Sequence, residues 1–201
     1  MNNEAKKMLF ELEKNRICGI DEAGRGPIAG PLVVVGLILK KEIKGLRDSK
    51  KLTQKRREEL FELIISENSY HIVIIDSKEI DQNGLSKSMK KALSQIKDAL
   101  FEEDIQFIFD GNSSFGVSGL TTIIKADDKI DEVSGASILA KVTRDRLMEE
   151  YAKQYPNYSF EKHKGYCTKA HLEAIEELGL CPIHRKSFKI PLKSVTKTLF
   201  E

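Results

Sequence analysis

The sequence predicts an α/β fold built on one mixed sheet. Segments of strand length and high apolar content come first along the chain, and further strands then alternate with segments of helical periodicity. The first two strands are joined by only Gly24 to Pro31, which is too short for the crossover that a parallel pair needs. The sheet should therefore begin with an antiparallel pair and continue with parallel strands joined through helices.

Five segments are predicted as strands. Each is short, rich in β-branched or aromatic residues, and bounded by polar or glycine-containing turns. In order they are Arg16 to Glu22, Leu32 to Lys40, Tyr70 to Asp76, Ile105 to Asp110 and Leu120 to Lys125.

Five segments are predicted as helices from their apolar spacing. Thr53 is a good N-cap for the second of them, and Pro156 and Gly179 mark the ends of the last two. In order they are Glu4 to Asn15, Thr53 to about Ser66, Leu85 to Phe101, Glu132 to Tyr155 and Thr168 to Leu178.

The composition is that of a soluble globular protein of one domain. The 201 residues are 40% hydrophobic and 32% charged, with a formal net charge of only +2. Basic residues nevertheless form three local clusters, which suit phosphate contacts, although each alone could be a solvated surface. The clusters are Lys50, Lys51, Lys55, Arg56 and Arg57; Lys162, His163, Lys164 and Lys169; and His184, Arg185, Lys186 and Lys189.

The cysteines and the apolar stretches indicate a cytoplasmic protein. Cys18, Cys167 and Cys181 are scattered and form no CxxC pair. The first residues lack the apolar core of a signal peptide. The longest apolar stretch, Leu32 to Leu39, is far shorter than the ~20 residues of a membrane span.

Acidic residues close three of the predicted strands. Asp21 and Glu22 end the first strand, Asp110 ends the fourth, and Asp127 follows the fifth. Ligands of open α/β sheets bind beyond the carboxyl ends of strands, so these acids can converge if the strands are neighbours. A cluster of oxygen ligands without histidine or cysteine favours Mg²⁺ or Mn²⁺ over zinc. The alternative for each acid is an ordinary strand end.

Two points of this acidic site stay open at the level of sequence. Successive residues of a strand point to opposite faces, so Asp21 and Glu22 share a target only if the strand ends or bulges there, or if Glu22 contributes its carbonyl. Asp128 also competes with Asp127 for the last position.

A glycine-rich loop follows the first acids directly. Asp21-Glu22-Ala23-Gly24-Arg25-Gly26 places carboxylates next to exposed backbone N–H groups. That combination can hold a divalent metal and a phosphate together.

These motifs resemble those of bacterial ribonuclease HII, the type 2 ribonuclease H family. The resemblance runs in order from about Ile17 to Phe188. It rests on Asp21-Glu22-Ala23-Gly24-Arg25-Gly26-Pro27, Asp48-Ser49-Lys50-Lys51-Leu52-Thr53, Phe109-Asp110-Gly111-Asn112, Lys125-Ala126-Asp127, Ser137 to Asp145, His163-Lys164-Gly165-Tyr166 and His184-Arg185-Lys186-Ser187-Phe188. Cys167 departs from the family, which usually has proline or glycine after the tyrosine.

The resemblance implies a ribonuclease H-like five-stranded mixed sheet flanked by helices, with a C-terminal helical extension. Residues 1–201 would form one catalytic domain, of which about 156–201 would be the substrate-binding extension. The implied activity is cleavage of the RNA strand of RNA–DNA hybrids and incision 5′ to single ribonucleotides in duplex DNA. The products would carry 3′-hydroxyl and 5′-phosphate ends.

The resemblance also assigns roles to residues. Asp21, Glu22, Asp110 and Asp127 would be the catalytic acids and would hold two Mg²⁺ or Mn²⁺ ions ~3.5–4 Å apart. The family spacing favours Asp127 over Asp128. The main chain of Gly24, Arg25 and Gly26 would contact the ribose 2′-hydroxyl, and Tyr166 would stack on the next deoxyribose. Ser49, Lys50, Lys51 and Arg185 would position phosphates.

Three other assignments are less well supported by the sequence. Ribonuclease HIII carries an extra N-terminal domain and usually a lysine at the position of Arg25. A noncatalytic binding module would be expected to have lost an acid, and a phosphatase for small substrates would not need the basic clusters.

The sequence gives weaker indications of partners. We expect a monomer. The segment Thr196-Lys197-Thr198-Leu199-Phe200 is similar to a sliding-clamp-binding peptide but lacks its glutamine, and a frayed terminus is the alternative.

Overall fold

A computed structural model describes residues 16–46 and 52–192 and contains a five-stranded mixed sheet in the order β3-β2-β1-β4-β5. The strands are β1 (Arg16–Ala23), β2 (Leu32–Ile38), β3 (Ser69–Ile75), β4 (Ile105–Asp110) and β5 (Leu120–Ile123). Strands β1, β2 and β3 pair antiparallel, whereas β4 runs parallel to β1 and β5 runs parallel to β4. The predicted change from antiparallel to parallel pairing is therefore confirmed.

Six α-helices lie in the described part of the chain. They are α1 (Gln54–Glu67), α2 (Ser77–Asn83), α3 (Leu85–Ala99), α4 (Asp131–Gln154), α5 (Phe160–His163) and α6 (Lys169–Leu178). The N-cap prediction is confirmed, since the Thr53 side chain accepts a hydrogen bond from the Arg56 N–H. The helix predicted over Glu4 to Asn15 lies outside the described residues.

Helix α2 was not predicted, and its origin lies in Asp76. The apolar run before Asp76 predicts a strand that ends at this residue, but the Asp76 side chain accepts a hydrogen bond from the Glu79 N–H at 2.7 Å and begins a helix. Strand β3 consequently ends one residue earlier, at Ile75. The α3 prediction was two residues too long, because that helix ends at Ala99.

Helices cover both faces of the sheet. Met89, Leu93 and Ile96 of α3 belong to the buried cluster on one face, and α1 and α4 form the buried cluster of the other face with β2. The backbone of α4 lies directly against β1: a Cβ built at Gly19 would stand 2.3 Å from the main chain of Glu132. This close approach brings the first turns of α4 to the carboxyl end of β1.

The segment after α4 packs on the glycine-rich loop. Its buried core includes Phe160, Ile175 and Ile183, which cluster with Ile28 and Met148. Main-chain hydrogen bonds reinforce the contact, with Ile28 N–H donating to Gly165 O at 3.0 Å and Arg185 N–H donating to Ile28 O at 2.8 Å. The C-terminal helical segment is thereby fixed beside the loop that follows β1.

None of the helices within residues 16–46 and 52–192 is long and apolar enough to cross a membrane.

Candidate functional site

Three aspartates from separate elements meet at the carboxyl edge of the sheet. Asp21 lies on β1, Asp110 ends the neighbouring parallel strand β4, and Asp127 lies in a 3₁₀ turn, Ala126–Asp128, after β5. One carboxylate oxygen from each lies within 4.8 Å of the others. Parallel neighbouring strands produce this convergence, because their carboxyl ends reach the same edge of the sheet.

The structure distinguishes Asp127 from Asp128. The Asp127 side chain is buried and joins the cluster, whereas Asp128 is exposed. The left-handed backbone of Lys125, with φ of 56°, turns the chain into the short 3₁₀ turn that presents Asp127 inward. The Ala126 N–H also donates to Asp110 Oδ1 at 3.3 Å and ties this turn to β4.

Glu22 lies beside the aspartate cluster on a strand that does not break. A strand end or bulge at this residue was one of the alternatives left open by the sequence, but the pairing with β2 continues through Glu22 to Ala23. The opening lies on the other side, where the pairing of β1 with β4 stops at Ile20. Glu22 Oε1 accepts a hydrogen bond from Arg25 at 3.2 Å, and Oε2 is buried without a hydrogen-bond partner.

Burial and repulsion between neighbouring acids make Asp21, Glu22 and Asp110 costly to ionise. The pKa of Asp21 is raised well above its usual value, mainly by burial and then by the Glu22 charge, while a hydrogen bond from Ser137 opposes the rise. Burial also raises the pKa of Glu22. The pKa of Asp110 is raised by burial and by Asp127. A bound cation would remove these penalties by supplying the missing positive charge.

The donor set fits hard divalent ions. Among the described residues, the histidine, cysteine or acidic ligand atoms that converge here are all carboxylate oxygens, and the buried Glu22 Oε2 is a further oxygen atom available to a ligand. Oxygen ligands of this kind suit Mg²⁺ and Mn²⁺. The aspartate cluster therefore offers the ligand atoms that these metal ions prefer.

Two buried guanidinium groups hold the glycine-rich loop in place. Arg185 donates to the carbonyl oxygens of Gly24 at 2.6 Å, Arg25 at 3.2 Å and Gly30 at 3.0 Å. Arg144 of α4 donates to two more loop carbonyls, those of Ala29 at 3.1 Å and Pro31 at 3.0 Å. The loop that follows the acids is thus fixed from its inner side.

The position of Arg185 corrects its predicted role. We expected this residue to position a phosphate, but its side chain is fully buried and is occupied by loop carbonyls. Burial and the nearby Arg144 charge lower the pKa of Arg185 to about 9. Arg185 therefore shapes the loop from behind and does not reach a phosphate on the surface.

A groove of about 490 Å³ lies between the loop and α4. Tyr166 stands at this groove with 47% of its surface exposed, and the guanidinium carbon of Arg144 lies 5.8 Å from the centre of its ring. The predicted residues that line the groove are Glu22, Gly24, Arg25, Gly26 and Tyr166.

The groove also includes three residues that were not predicted individually as site residues, although Arg57 belongs to a predicted basic cluster. Ser137 and Lys141 lie one turn apart on α4, and Arg57 extends from α1. The i, i+4 spacing of Ser137 and Lys141 was the signal that could have identified them, because it places both on one helix face. The predicted phosphate contacts Ser49, Lys50 and Lys51 lie outside the described residues.

Comparison with known proteins assigns the family. The ribonuclease HII family model matches residues 18–190. This chain belongs to the ribonuclease HII family. The ribonuclease HII of Sulfurovum sp. is 56% identical over 178 residues, which cover 89% of this chain and 94% of that protein. The chain is accordingly a hydrolase of the ribonuclease H class, an endonuclease with an acidic metal-binding site.

Solved structures agree with the fold. The ribonuclease HII in the PCNA:RNase HII complex of Archaeoglobus fulgidus superimposes with a TM-score of 0.76 at 27% identity, covering 90% of this chain and 98% of that one. A Bst-RNase HIII structure in complex with Mn²⁺ gives a TM-score of 0.62 at 20% identity, covering 82% of this chain and 63% of that one. The second likeness concerns the fold alone.

Proposed function

We propose that this ribonuclease HII cleaves the RNA strand of RNA–DNA hybrids and incises 5′ to single ribonucleotides embedded in duplex DNA. The products carry 3′-hydroxyl and 5′-phosphate ends. The observation that carries the proposal is the convergence of Asp21, Asp110 and Asp127 beside Glu22, an acid that also lines the groove formed with the glycine-rich loop. Hydrolysis and sugar recognition would then take place on adjacent parts of one strand–loop unit.

The four acids hold the catalytic ions in this proposal. Asp21, Asp110 and Asp127 supply converging oxygens, and Glu22 adds the buried Oε2 beside them. Two bound Mg²⁺ or Mn²⁺ ions would supply an activated water and stabilise the departing 3′-oxygen. The Ala126 N–H orients Asp110 through its hydrogen bond to Oδ1, and Ser137 favours the ionised form of Asp21.

The glycine-rich loop reads the 2′-hydroxyl. Gly24 and Gly26 carry no side chain, so the main chain from Gly24 to Gly26 can come close to a ribose. The hydrogen bonds from Arg185 and Arg144 fix the inner carbonyls of the loop before substrate arrives. A preorganised loop of this kind discriminates without having to order itself on binding.

Tyr166 and the basic residues position the strand. The exposed Tyr166 ring stacks on the deoxyribose that follows the ribonucleotide, which restricts cleavage to an RNA-to-DNA junction. Lys141 and Arg57 face the groove and hold phosphates together with Ser49, Lys50 and Lys51. We assign the segment 156–201 to substrate binding as a C-terminal extension of a single, monomeric and cytoplasmic domain.

A nicking assay on two duplexes tests the proposal. One duplex is all DNA and the other contains a single ribonucleotide, and both carry a 5′ label. With Mg²⁺ or Mn²⁺ only the second should be cut, directly 5′ to the ribonucleotide, and the upstream product should be extended by a polymerase because it ends in a 3′-hydroxyl. Cleavage of both duplexes at similar rates would contradict the role given to the loop.

A sliding clamp is a further proposed partner. The A. fulgidus relative was solved with PCNA, and the segment 196–200 of this chain is similar to a clamp-binding peptide. Titration against a bacterial clamp should give weaker binding once Leu199 and Phe200 are removed. Equal affinity of the full and shortened chains would reject this partner.

A further inference from the structure

Two histidines form a buried pair below the Tyr166 loop. His171 of α6 and His184 are 0% and 1% exposed, and their Nε2 atoms lie 3.0 Å apart. A contact of this length between two imidazole nitrogens requires one nitrogen to donate and the other to accept. The pair therefore has a direction, which the groups at its two ends determine.

The main-chain groups at both ends fix that direction. The Cys181 N–H lies 2.9 Å from His184 Nδ1 and can only donate, so Nδ1 accepts and the proton of His184 is on Nε2. At the other end, the Tyr166 carbonyl lies 2.9 Å from His171 Nδ1 and can only accept, so the proton of His171 is on Nδ1. Nε2 of His184 then donates to Nε2 of His171, and each of these three contacts joins a donor to an acceptor.

The reverse arrangement is unfavourable. It would let His184 Nδ1 donate to Cys181 O at 3.2 Å, but the Cys181 N–H, 2.9 Å from the same nitrogen, would then face a second donor. It would also place two acceptors, His171 Nδ1 and the Tyr166 carbonyl, against each other. Burial of unmatched polar groups at both ends would make this state costly.

The surroundings keep both rings neutral. The His163 ring stacks on His171 with centroids 4.2 Å apart, and Tyr158, Phe160 and the Cys181 Sγ atom lie against the pair. His163 is itself satisfied as a neutral ring: its Nε2 donates to Tyr158 O, and its Nδ1 accepts from the Gly165 N–H. Burial lowers the pKa of all three imidazoles.

We propose that His171 and His184 act as a positioning pair, which fixes the Tyr166 main chain through a hydrogen-bond relay that starts at the Cys181 N–H. The Tyr166 carbonyl accepts from both His171 and the Thr168 N–H, and the adjacent Gly165 carbonyl is held by the loop that follows β1. Tyr166 therefore keeps a set position relative to the glycine-rich loop. The effect on catalysis rests on the proposed role of Tyr166, but the relay itself does not.

NMR spectroscopy tests the relay without any substrate. Long-range ¹H–¹⁵N spectra of the full chain at neutral pH should show His184 protonated on Nε2 and His171 protonated on Nδ1. His184→Asn keeps an acceptor for the Cys181 N–H but loses the donor to His171, so it should shift the ¹³C resonance of the Tyr166 carbonyl. The opposite tautomers, or an unchanged carbonyl resonance, would overturn the relay.

Kinetics test the consequence for the site. His184→Asn should lower kcat/KM on the single-ribonucleotide duplex about fivefold, the worth of one neutral hydrogen bond, with less than a twofold change on a long hybrid. His171→Asn retains an amide donor for the Tyr166 carbonyl and should keep most of the activity on both. The matched control is His71→Asn. His71 is the remaining histidine of the chain and lies on the edge strand β3, so this substitution should change kcat/KM on neither substrate.

A double-mutant cycle with Tyr166→Ala separates positioning from general loss of structure. If His184 acts through the Tyr166 ring, its substitution should no longer affect the preference between substrates in the Tyr166→Ala background. An equal loss on both substrates, or an effect that persists in that background, would overturn the positioning role. Failure of the wild-type chain to cut the single-ribonucleotide duplex would instead overturn the proposed function, and the NMR tautomers would still decide on the relay.

Discussion

Gly24 and Gly26 stand two residues apart in one loop, yet alanine should lower the stability of the fold at Gly24 and the activity alone at Gly26. Gly24 is buried with φ of 103°, a conformation that L residues rarely adopt. A Cβ there would lie 2.4 Å from Arg144 Nε and 2.5 Å from the Pro31 carbonyl. Gly26 is exposed at the groove, and a Cβ built on it meets nothing within 4 Å.

The free energies follow from these two environments. At Gly24 the backbone strain of about 1–3 kcal/mol adds to an overpacking cost of about 1–3 kcal/mol, so Gly24→Ala should lower the free energy of unfolding by about 2–6 kcal/mol. For a chain of this size each kcal/mol corresponds to about 2–4 °C in Tm. Gly26→Ala should stay within about 0.5 kcal/mol of wild type.

Urea denaturation and the nicking assay together test the pair. Gly24→Ala should unfold at clearly lower urea concentration. Gly26→Ala should unfold like the wild type but cut the single-ribonucleotide duplex more slowly, because its methyl group projects into the groove where the proposed sugar contact occurs. Equal stability of the two variants would refute the packing argument at Gly24. Full activity of Gly26→Ala would refute the close approach of the backbone to the sugar.

The remaining predictions concern the metal site, the buried histidines and the thiols. Asp21→Asn should reduce turnover at least about a hundredfold while retaining duplex binding. It should also diminish the rise in Tm that Mn²⁺ produces, because a neutral amide replaces the buried carboxyl group whose ionisation the cation favours. An unchanged effect of Mn²⁺ on Tm would argue against Asp21 as a ligand. Burial lowers the pKa of His171 from 6.5 to about 4, so the folded state favours the neutral ring. The contribution of the neutral His171 ring to the free energy of unfolding is complete above pH 6.5 and declines as the pH falls toward 4. Urea titrations should show a loss of about 2 kcal/mol between pH 7.5 and pH 5, which His171→Asn should reduce, and a pH-independent midpoint would contradict this. Cys167 is exposed, whereas Cys18 and Cys181 are buried and burial raises the pKa of Cys18 to about 12. A thiol reagent should therefore modify one cysteine rapidly in the native protein, and none rapidly in Cys167→Ser.

The sheet was predictable because its signals are local. Apolar runs and breaker residues marked all five strands within two residues, and the short Gly24 to Pro31 connection determined the first antiparallel pair. Helix α2 was missed because Asp76 serves as an N-cap, and an aspartate at the end of an apolar run is equally compatible with a strand end.

The acidic cluster was predictable from the sequence, whereas the hydrogen bonds from the buried Arg185 to the glycine-rich loop were not. Acids at strand ends indicate one edge of a sheet once the strands are known to be parallel neighbours, and the burial of Asp127 then separates it from Asp128. An arginine in a basic cluster looks like a phosphate ligand. Arg185 became a buried donor only because the chain returns to the loop from about 160 residues away, and no local pattern records such a contact.

This long-range contact has a consequence for the order of assembly during synthesis. All four acids leave the ribosome well before Arg185, the residue that engages the Gly24 and Arg25 carbonyls. A nascent chain would hence carry its complete set of carboxylates while the neighbouring loop still lacks its inner anchor. The proposed selectivity for the sugar would therefore appear in the newly made enzyme only after its set of carboxylates is complete, and damage to the segment around Arg185 would remove it.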